Sequence, residues 1–363
     1  MTASFFAVIV VLAGLFGNRI SAIYWQLVFC LFGAAAALEL PALGGAVILP
    51  SVLFLPFLFA HAWAENYGGR YSQRVPIAGL WLGCAVFYGL VTAYFLPRLF
   101  AGSIEIVSVD RGAAAGASPL SLLHPVSGNI TQSAYAVGAL IAFMSMRALL
   151  DKPGRLAHFR DAVLLLASLD CLAAIINLAE FHLGLPPILD YVRTAYALFG
   201  AYEQIGTGLM RIHGTFSETA GFSCFSLPLF AFCFSLWLHK VRSLYTGTLS
   251  MLLLMFLMIS TSTTAYVGVA LYAALLAFVL TYRGYVRGRV PRIGVLVAGG
   301  LMAMVLIGSV FVFETEVAHR LEGYFAVTIF DKAETSSGQM RALWNRQAWS
   351  NFIDTYGLGV GLG

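Results

Sequence analysis

Apolar runs of about twenty residues recur along the whole chain, separated by stretches that hold most of the charge. A hydrocarbon core about 30 Å thick asks for helical spans of that length. The period-two alternation of transmembrane barrel strands is absent. The pattern predicts about ten spans, at roughly 2–17, 20–38, 42–62, 76–96, 132–149, 161–183, 218–238, 245–260, 264–282 and 293–313. The predicted fold class is all-α, a polytopic transmembrane helical bundle. The first run has no Lys or Arg ahead of it and continues into a second apolar stretch, so it reads as a span and not as a cleaved signal peptide.

Composition removes the main alternatives. Of 363 residues, 60% are hydrophobic and 10% charged, where a soluble domain has about 45–50% and about 25%. A water-soluble globule and a disordered chain are both excluded. The five cysteines, Cys30, Cys84, Cys171, Cys224 and Cys233, lie inside apolar runs without a C-x-x-C pair. They suggest small core residues, neither a disulfide framework nor a zinc site. A net charge of +4 is too small to point to nucleic acid.

The distribution of charge says more than its sum. Four short loops, 62–75, 147–160, 239–244 and 283–292, hold twelve of the 21 basic residues. They alternate two spans apart, so all can be cytoplasmic under the positive-inside rule. The long segments 97–131, 184–217 and 314–363 hold eight basic residues and are expected outside, with Arg19 the remaining one. Chemistry is expected there, because loops on a rigid scaffold carry sites. None of the three lysines (152, 240 and 332) follows a glycine, so there is no phosphate-cradling Walker loop. The histidines do not cluster and H-E-x-x-H is absent, so no metal and no cofactor is expected.

The first outward constellation is Arg211-Ile-His213-Gly-Thr215-Phe-Ser-Glu218, at the entrance to the seventh span. A guanidinium there is a fixed fork for phosphate oxygens, and the helix start that follows offers free N–H groups to an anion. Glu218 could take a proton from a hydroxyl nucleophile. Equally, Thr215-x-x-Glu218 fits a capping box, which would make Glu218 a helix-start residue. His213 is a further candidate substrate contact. The second constellation runs from Ser336 through Gln339, Arg341, Trp344 and Arg346 to Trp349, Phe352, Ile353 and Tyr356. Its capping signal and i, i+3, i+4, i+7 spacing predict an amphipathic helix in the large outer loop. Arg341 and Trp344 share a face, a phosphate clamp beside an apolar wall; Arg346 lies on another. The plainer alternative is an interfacial helix with tryptophan among the headgroups.

Weaker signals complete the set. Ser260-Thr-Ser-Thr-Thr264 makes an outward polar turn. Asp170 stands mid-span, where an acid is costly enough to need a function or an internal partner. Arg193 and Glu203 could meet a headgroup or simply be solvated. The final Tyr356-Gly357-Leu-Gly359-Val-Gly361-Leu-Gly363 has no closing helix and reads as the middle of a longer reading frame.

Arg-x-x-Gly-x-Phe-x-Glu before a span, a Ser/Thr-rich turn two spans later, then Arg-x-x-Trp and alternating glycines together resemble the O-antigen polymerase and ligase family. The resemblance covers roughly residues 200–363. It implies about twelve spans and a metal-independent glycosyltransferase of the bacterial inner membrane, multi-pass, with its large loops periplasmic. The implied donor is a glycan on undecaprenyl diphosphate, passed by polymerases to another lipid-linked repeat and by ligases to lipid A–core. Implied partners are membrane lipids and the flippase and chain-length regulator of the same pathway. By position, Arg211 and Arg341 match the family's diphosphate-holding arginines, and Gly357, Gly359 and Gly361 match its glycine run. The catalytic histidine of ligases follows that run and would fall past Gly363. Thr263 stands where many relatives have arginine. The acid in Gly214-Thr-Phe-Ser-Glu218 looks more like polymerases, so polymerisation of an O-antigen or exopolysaccharide is the expected activity. Catalysis is expected from Glu218, Arg211 and Arg341, with Arg346, Trp344, His213 and the glycines as further substrate contacts.

Two regions are expected: a transmembrane region over 1–200 and the polymerase-like region over 201–363, with its periplasmic loop at 314–363. From another class, a transporter or flippase would be expected to carry inverted repeats or midplane charges. No internal repeat is visible, and Asp170 is nearly alone in its depth.

Overall fold

The computed structural model describes residues 2–41, 46–66, 75–107, 120–195, 211–287 and 336–362. Most of them are helical. Five helices among them are long and apolar enough to cross a membrane. These are α5 (Ile77–Leu99), α6 (Ser127–Leu150), α7 (Arg155–His182), α8 (Thr219–Leu238) and the first twenty residues of α10 (Thr263–Arg287). The helix α9 (Ser243–Ile259) has 17 residues. The span expected at 293–313 lies outside the described residues.

The amino-terminal third departs from the predicted spans. Helices α1 (Phe5–Phe16) and α2 (Arg19–Leu31) have 12 and 13 residues, about 18–20 Å at 1.5 Å per residue and short of a bilayer core. Asn18 separates them: its Oδ1 accepts from the Ile20 and Ser21 N–H groups, starting α2 afresh. The expected third span is broken. Ala46–Ile48 forms strand β3, Pro50 opens the short α3 (Pro50–Leu53), and α4 (Leu55–Asn66) follows. Strand β2 (Leu38–Leu40) pairs antiparallel with β3 and with β1 (Thr2–Ala3). An apolar run read only for hydropathy hides this, because strand and helix are equally apolar there.

The chain forms two compact units. One comprises residues 1–30, 35–162 and 333–363, the other 31–34 and 163–332. In the first, Val10, Ile23, Phe54, Leu58 and Leu149 are buried in one cluster. Glu65 at the end of α4 pairs with Arg19 at 3.2 Å and with Arg155 at 3.4 Å. Arg19 therefore sits at the end of the unit that carries the basic 147–160 loop. At the other end, β4 (Glu105–Val107) pairs antiparallel with β5 (Leu120–Leu122). The predicted amphipathic helix is α11 (Ser336–Asp354), and Gln347 of it donates to the Glu105 carbonyl at 2.7 Å. Segments expected on the outer side thus meet each other.

In the second unit α8 packs against α9 and α10. Gly247 lies under the Trp237 indole and Gly268 under Leu227, close approaches of the kind small residues permit between membrane helices. Phe222, Phe230, Phe256 and Leu257 are buried there. Of the cysteines, Cys171 and Cys233 are core residues as expected, whereas Cys84 and Cys224 are exposed. Helices that face lipid carry apolar residues on both sides, so hydropathy did not separate core from periphery.

Candidate functional site

The loop that precedes α8 is held from three sides. Asn177, buried in α7, accepts from the backbone N–H groups of His213 at 3.0 Å and Gly214 at 3.2 Å. Arg193 lies across the same loop, its Nε donating to the Gly214 carbonyl at 2.8 Å and its Nη2 to the same oxygen. Its Nη1 reaches Asp190 at 3.5 Å. The Thr215 hydroxyl donates to the Leu31 carbonyl, and the Ala34 N–H returns a bond to the Thr215 carbonyl at 3.2 Å. Gly33 fits beneath the Phe216 ring, where a Cβ would collide.

Gly214 is required at its position. Its φ is +54°, and a Cβ there would meet Phe222 at 3.2 Å. The resulting turn, closed by Phe216 N–H to the His213 carbonyl at 2.9 Å, buries Ile212, Thr215 and Phe216. Arg211 and Glu218 lie at its two ends.

Arg211 donates through Nη2 to the Thr261 carbonyl at 3.4 Å. That contact unites two motifs separated by fifty residues, the arginine loop and the polar turn of 260–264. The turn is built with Thr261 at φ +58°, a conformation that costs a β-branched residue energy. Ser260, Thr261 and Ser262 are all buried, and Thr261 Oγ1 has no hydrogen-bond partner among the described residues. Below it, Ser260 Oγ is 3.5 Å from Ser223 Oγ, and one turn deeper on α8 Ser226 donates to Asp170 at 2.6 Å. Asp170 thus has the internal partner its mid-span position calls for.

Glu218 is the residue that caps α8 by its backbone, and its side chain makes no capping bond. Thr215, spent on Leu31, is not its capping partner. The capping-box reading is therefore corrected: the helix begins one turn later than that motif requires. Glu218 is exposed at the start of α8.

His213 is less suited to take protons. Burial, and then the charge of Arg193, push its imidazole down to about 4. Its Nδ1 faces the Phe216 carbonyl at 3.2 Å. A carbonyl only accepts, so Nδ1 carries the hydrogen and Nε2 keeps its lone pair. The ring is neutral and fixed at neutral pH, a positioning group more than a base.

Arg193 corrects both sequence expectations for it: it is buried at 4% exposure, neither solvated nor open to a headgroup. Glu203 lies outside the described residues. Arg193 and Asn177 form the frame of the loop, and sequence reading missed them as such. The available signal was an asparagine seven residues after Asp170, on the same face of α7.

Arg341, Trp344, Arg346 and the glycines belong to the first unit, Arg211 to the second. Arg341 and Arg346 are exposed on α11, and Trp344 is half exposed. After α11, Gly357, Gly359 and Gly361 have φ of +84°, +79° and +94°. Thr355 Oγ1 accepts from the Gly359 N–H at 2.8 Å. The Leu358 carbonyl takes the Tyr88 hydroxyl at 2.9 Å, and the Leu362 carbonyl takes Asn129 Nδ2 at 2.6 Å. A Cβ at Gly361 would lie 2.7 Å from the Thr92 carbonyl oxygen. Gly361 lays the backbone directly against α5, whereas Gly357 faces Phe352 and Gly359 faces open space.

Among the described residues no group of three or more His, Cys, Asp or Glu is placed to hold a metal ion. Comparison of the chain with protein-family models, with curated proteins and with solved structures gives no match in any of the three.

Proposed function

We propose that this chain is an integral-membrane glycosyltransferase that polymerises undecaprenyl-diphosphate-linked repeat units on the periplasmic face of the bacterial inner membrane. The observation that carries the reading is the meeting of Arg211 with the 260–262 turn, beside an exposed Glu218 at the start of α8. A guanidinium, a helix start and an uncommitted carboxylate within one short loop suit transfer from an anionic leaving group. In that reaction an acceptor hydroxyl oxygen bonds to the anomeric carbon and the bond from that carbon to the diphosphate oxygen breaks. The electron pair goes to the diphosphate, whose growing charge is met by the Arg211 guanidinium and the α8 N–H groups. Glu218 accepts the hydroxyl proton. Two buried anchors, Arg193 and Asn177, keep the loop from moving as that charge develops.

A deletion strain tests the reading. Loss of a polymerase leaves a single repeat on its acceptor. Loss of a ligase leaves polymer on undecaprenyl diphosphate. Unchanged glycans together with a defect in small-molecule uptake would overturn the reading in favour of a transporter.

A further inference from the structure

Helix α11 wears its polarity the wrong way round for a helix in water. Gln347, Asn351 and Thr355, at i, i+4 and i+8, form the side turned to the protein, with Asn351 and Thr355 buried. On the opposite side Trp349, Phe352, Ile353 and Tyr356 stand bare, at 48–93% exposure. A surface helix normally turns its apolar stripe inward. At 100° per residue Arg341 and Arg346 fall on the two flanks of this stripe, and neither makes a hydrogen bond or ion pair among the described residues.

The bare stripe is continuous with a membrane-crossing surface. The segment after α11 runs directly onto α5, through the Leu358–Tyr88 bond and the Gly361–Thr92 approach. Both Leu358 and Tyr88 remain about half exposed, and Trp81, Phe87 and Phe95 extend the exposed apolar face along α5. A soluble protein partner or a second copy would have to cover both surfaces. A phospholipid bilayer already covers the second.

We propose that α11 lies in the headgroup layer of the bilayer that α5 crosses, with its Trp349–Tyr356 stripe sunk toward the acyl chains and Arg341 and Arg346 reaching lipid phosphates on either flank. Aromatic residues favour that depth, and long arginine stems allow the charge to stay at the phosphates. The helix is then a float that fixes the height of the glycine segment against α5.

Site-directed spin labelling tests this without reference to any activity. In a background lacking the native cysteines, nitroxides are placed at Ile353→Cys on the stripe and Asp354→Cys on the far side, in nanodiscs containing phosphatidylglycerol. The label at 353 should collide several-fold more often with oxygen than with a water-soluble nickel chelate, and the label at 354 should show the reverse. Equal chelate access at both sites would overturn the placement. So would shielding of 353 from both reagents, which is the signature of a protein partner. Arg341→Ala with Arg346→Ala should shift 353 toward the chelate, and an unchanged ratio would remove the arginines from the proposal.

Discussion

Arg193 holds the Gly214 carbonyl with two of its guanidinium N–H groups, at a depth where only 4% of the arginine side chain is exposed. The pair fixes the loop from which Arg211 and Glu218 project. Removing the guanidinium leaves a buried carbonyl without its charged donors, which costs about 3 kcal/mol. Arg193→Ala should therefore lower the thermal midpoint of the purified protein strongly. Arg193→Lys should recover only part, since an ammonium cannot repeat the fork. Gly214→Ala should cost about 1 kcal/mol for its left-handed backbone, plus whatever Phe222 must yield. Unchanged midpoints in Arg193→Ala and Gly214→Ala would refute the role of this pair in fixing the loop.

The His213 imidazole provides a pH dependence with a definite sign. Its folded value, about 4, is below the ordinary 6.5. Between those two values the unfolded chain binds more protons than the folded one, so stability rises with pH across that window. The contribution is complete above about 6.5 and is lost as pH falls toward about 4. Unfolding curves from pH 7 to pH 4 should steepen in their pH dependence for the wild type and flatten in His213→Gln. A variant that keeps the full wild-type slope would show that another group titrates.

Glu218 separates folding from chemistry. Its side chain makes no capping bond, so Glu218→Gln should change stability by less than about 0.5 kcal/mol. If the carboxylate takes the acceptor's proton, chain elongation should fall about a hundredfold or more. Normal glycan length from a normally inserted Glu218→Gln protein would assign proton transfer to another group.

Gly361 and Gly359 both have left-handed backbone, but only Gly361 touches α5. Alanine at 361 must push the segment away from Thr92, whereas alanine at 359 meets open space. Limited proteolysis should therefore cut the 355–362 segment faster in Gly361→Ala than in Gly359→Ala. Equal rates would mean that the turn conformation alone holds the segment.

These cases mark where the sequence was legible. Long uniform runs such as 77–99 and 155–182 declared themselves as helices, because hydropathy and length act together there. The first fifty residues did so only in part. The break at Asn18-Arg19 was legible, but the strands Leu38–Leu40 and Ala46–Ile48 and the break at Pro50 lie in runs apolar enough to read as helix. Arg211, Glu218 and the 260–264 turn were visible as motifs, yet the bond from Arg211 to Thr261 joins residues fifty apart and has no local signature. Arg193 looked like a loop charge because burial of an arginine depends on a carbonyl that only the fold brings near. The glycine run looked like a binding element, and its contact with Thr92 depends on the same kind of distant approach.

Arg211 and Arg341 carry the sharpest test of the proposed activity. Arg211 is half-buried and anchored at 3.4 Å to the Thr261 carbonyl, so its charge is positioned in advance. Arg341 is exposed on α11, on a flank of the apolar stripe. Charge-assisted bonds to a diphosphate are about twice as strong as neutral ones. Losing such a donor where water is scarce should cost on the order of 3 kcal/mol, or about a hundredfold in rate. Arg211→Ala should nearly abolish long glycan while the protein still inserts at normal level, and Arg211→Lys should restore a fraction. Arg341→Ala should act in the same direction but less severely if water screens the exposed site, with Arg346→Ala milder still. Glycan length on gels, read beside immunoblots of membrane fractions, measures all four variants. Wild-type chains from Arg211→Ala would leave that arginine as a brace between its loop and the Thr261 turn.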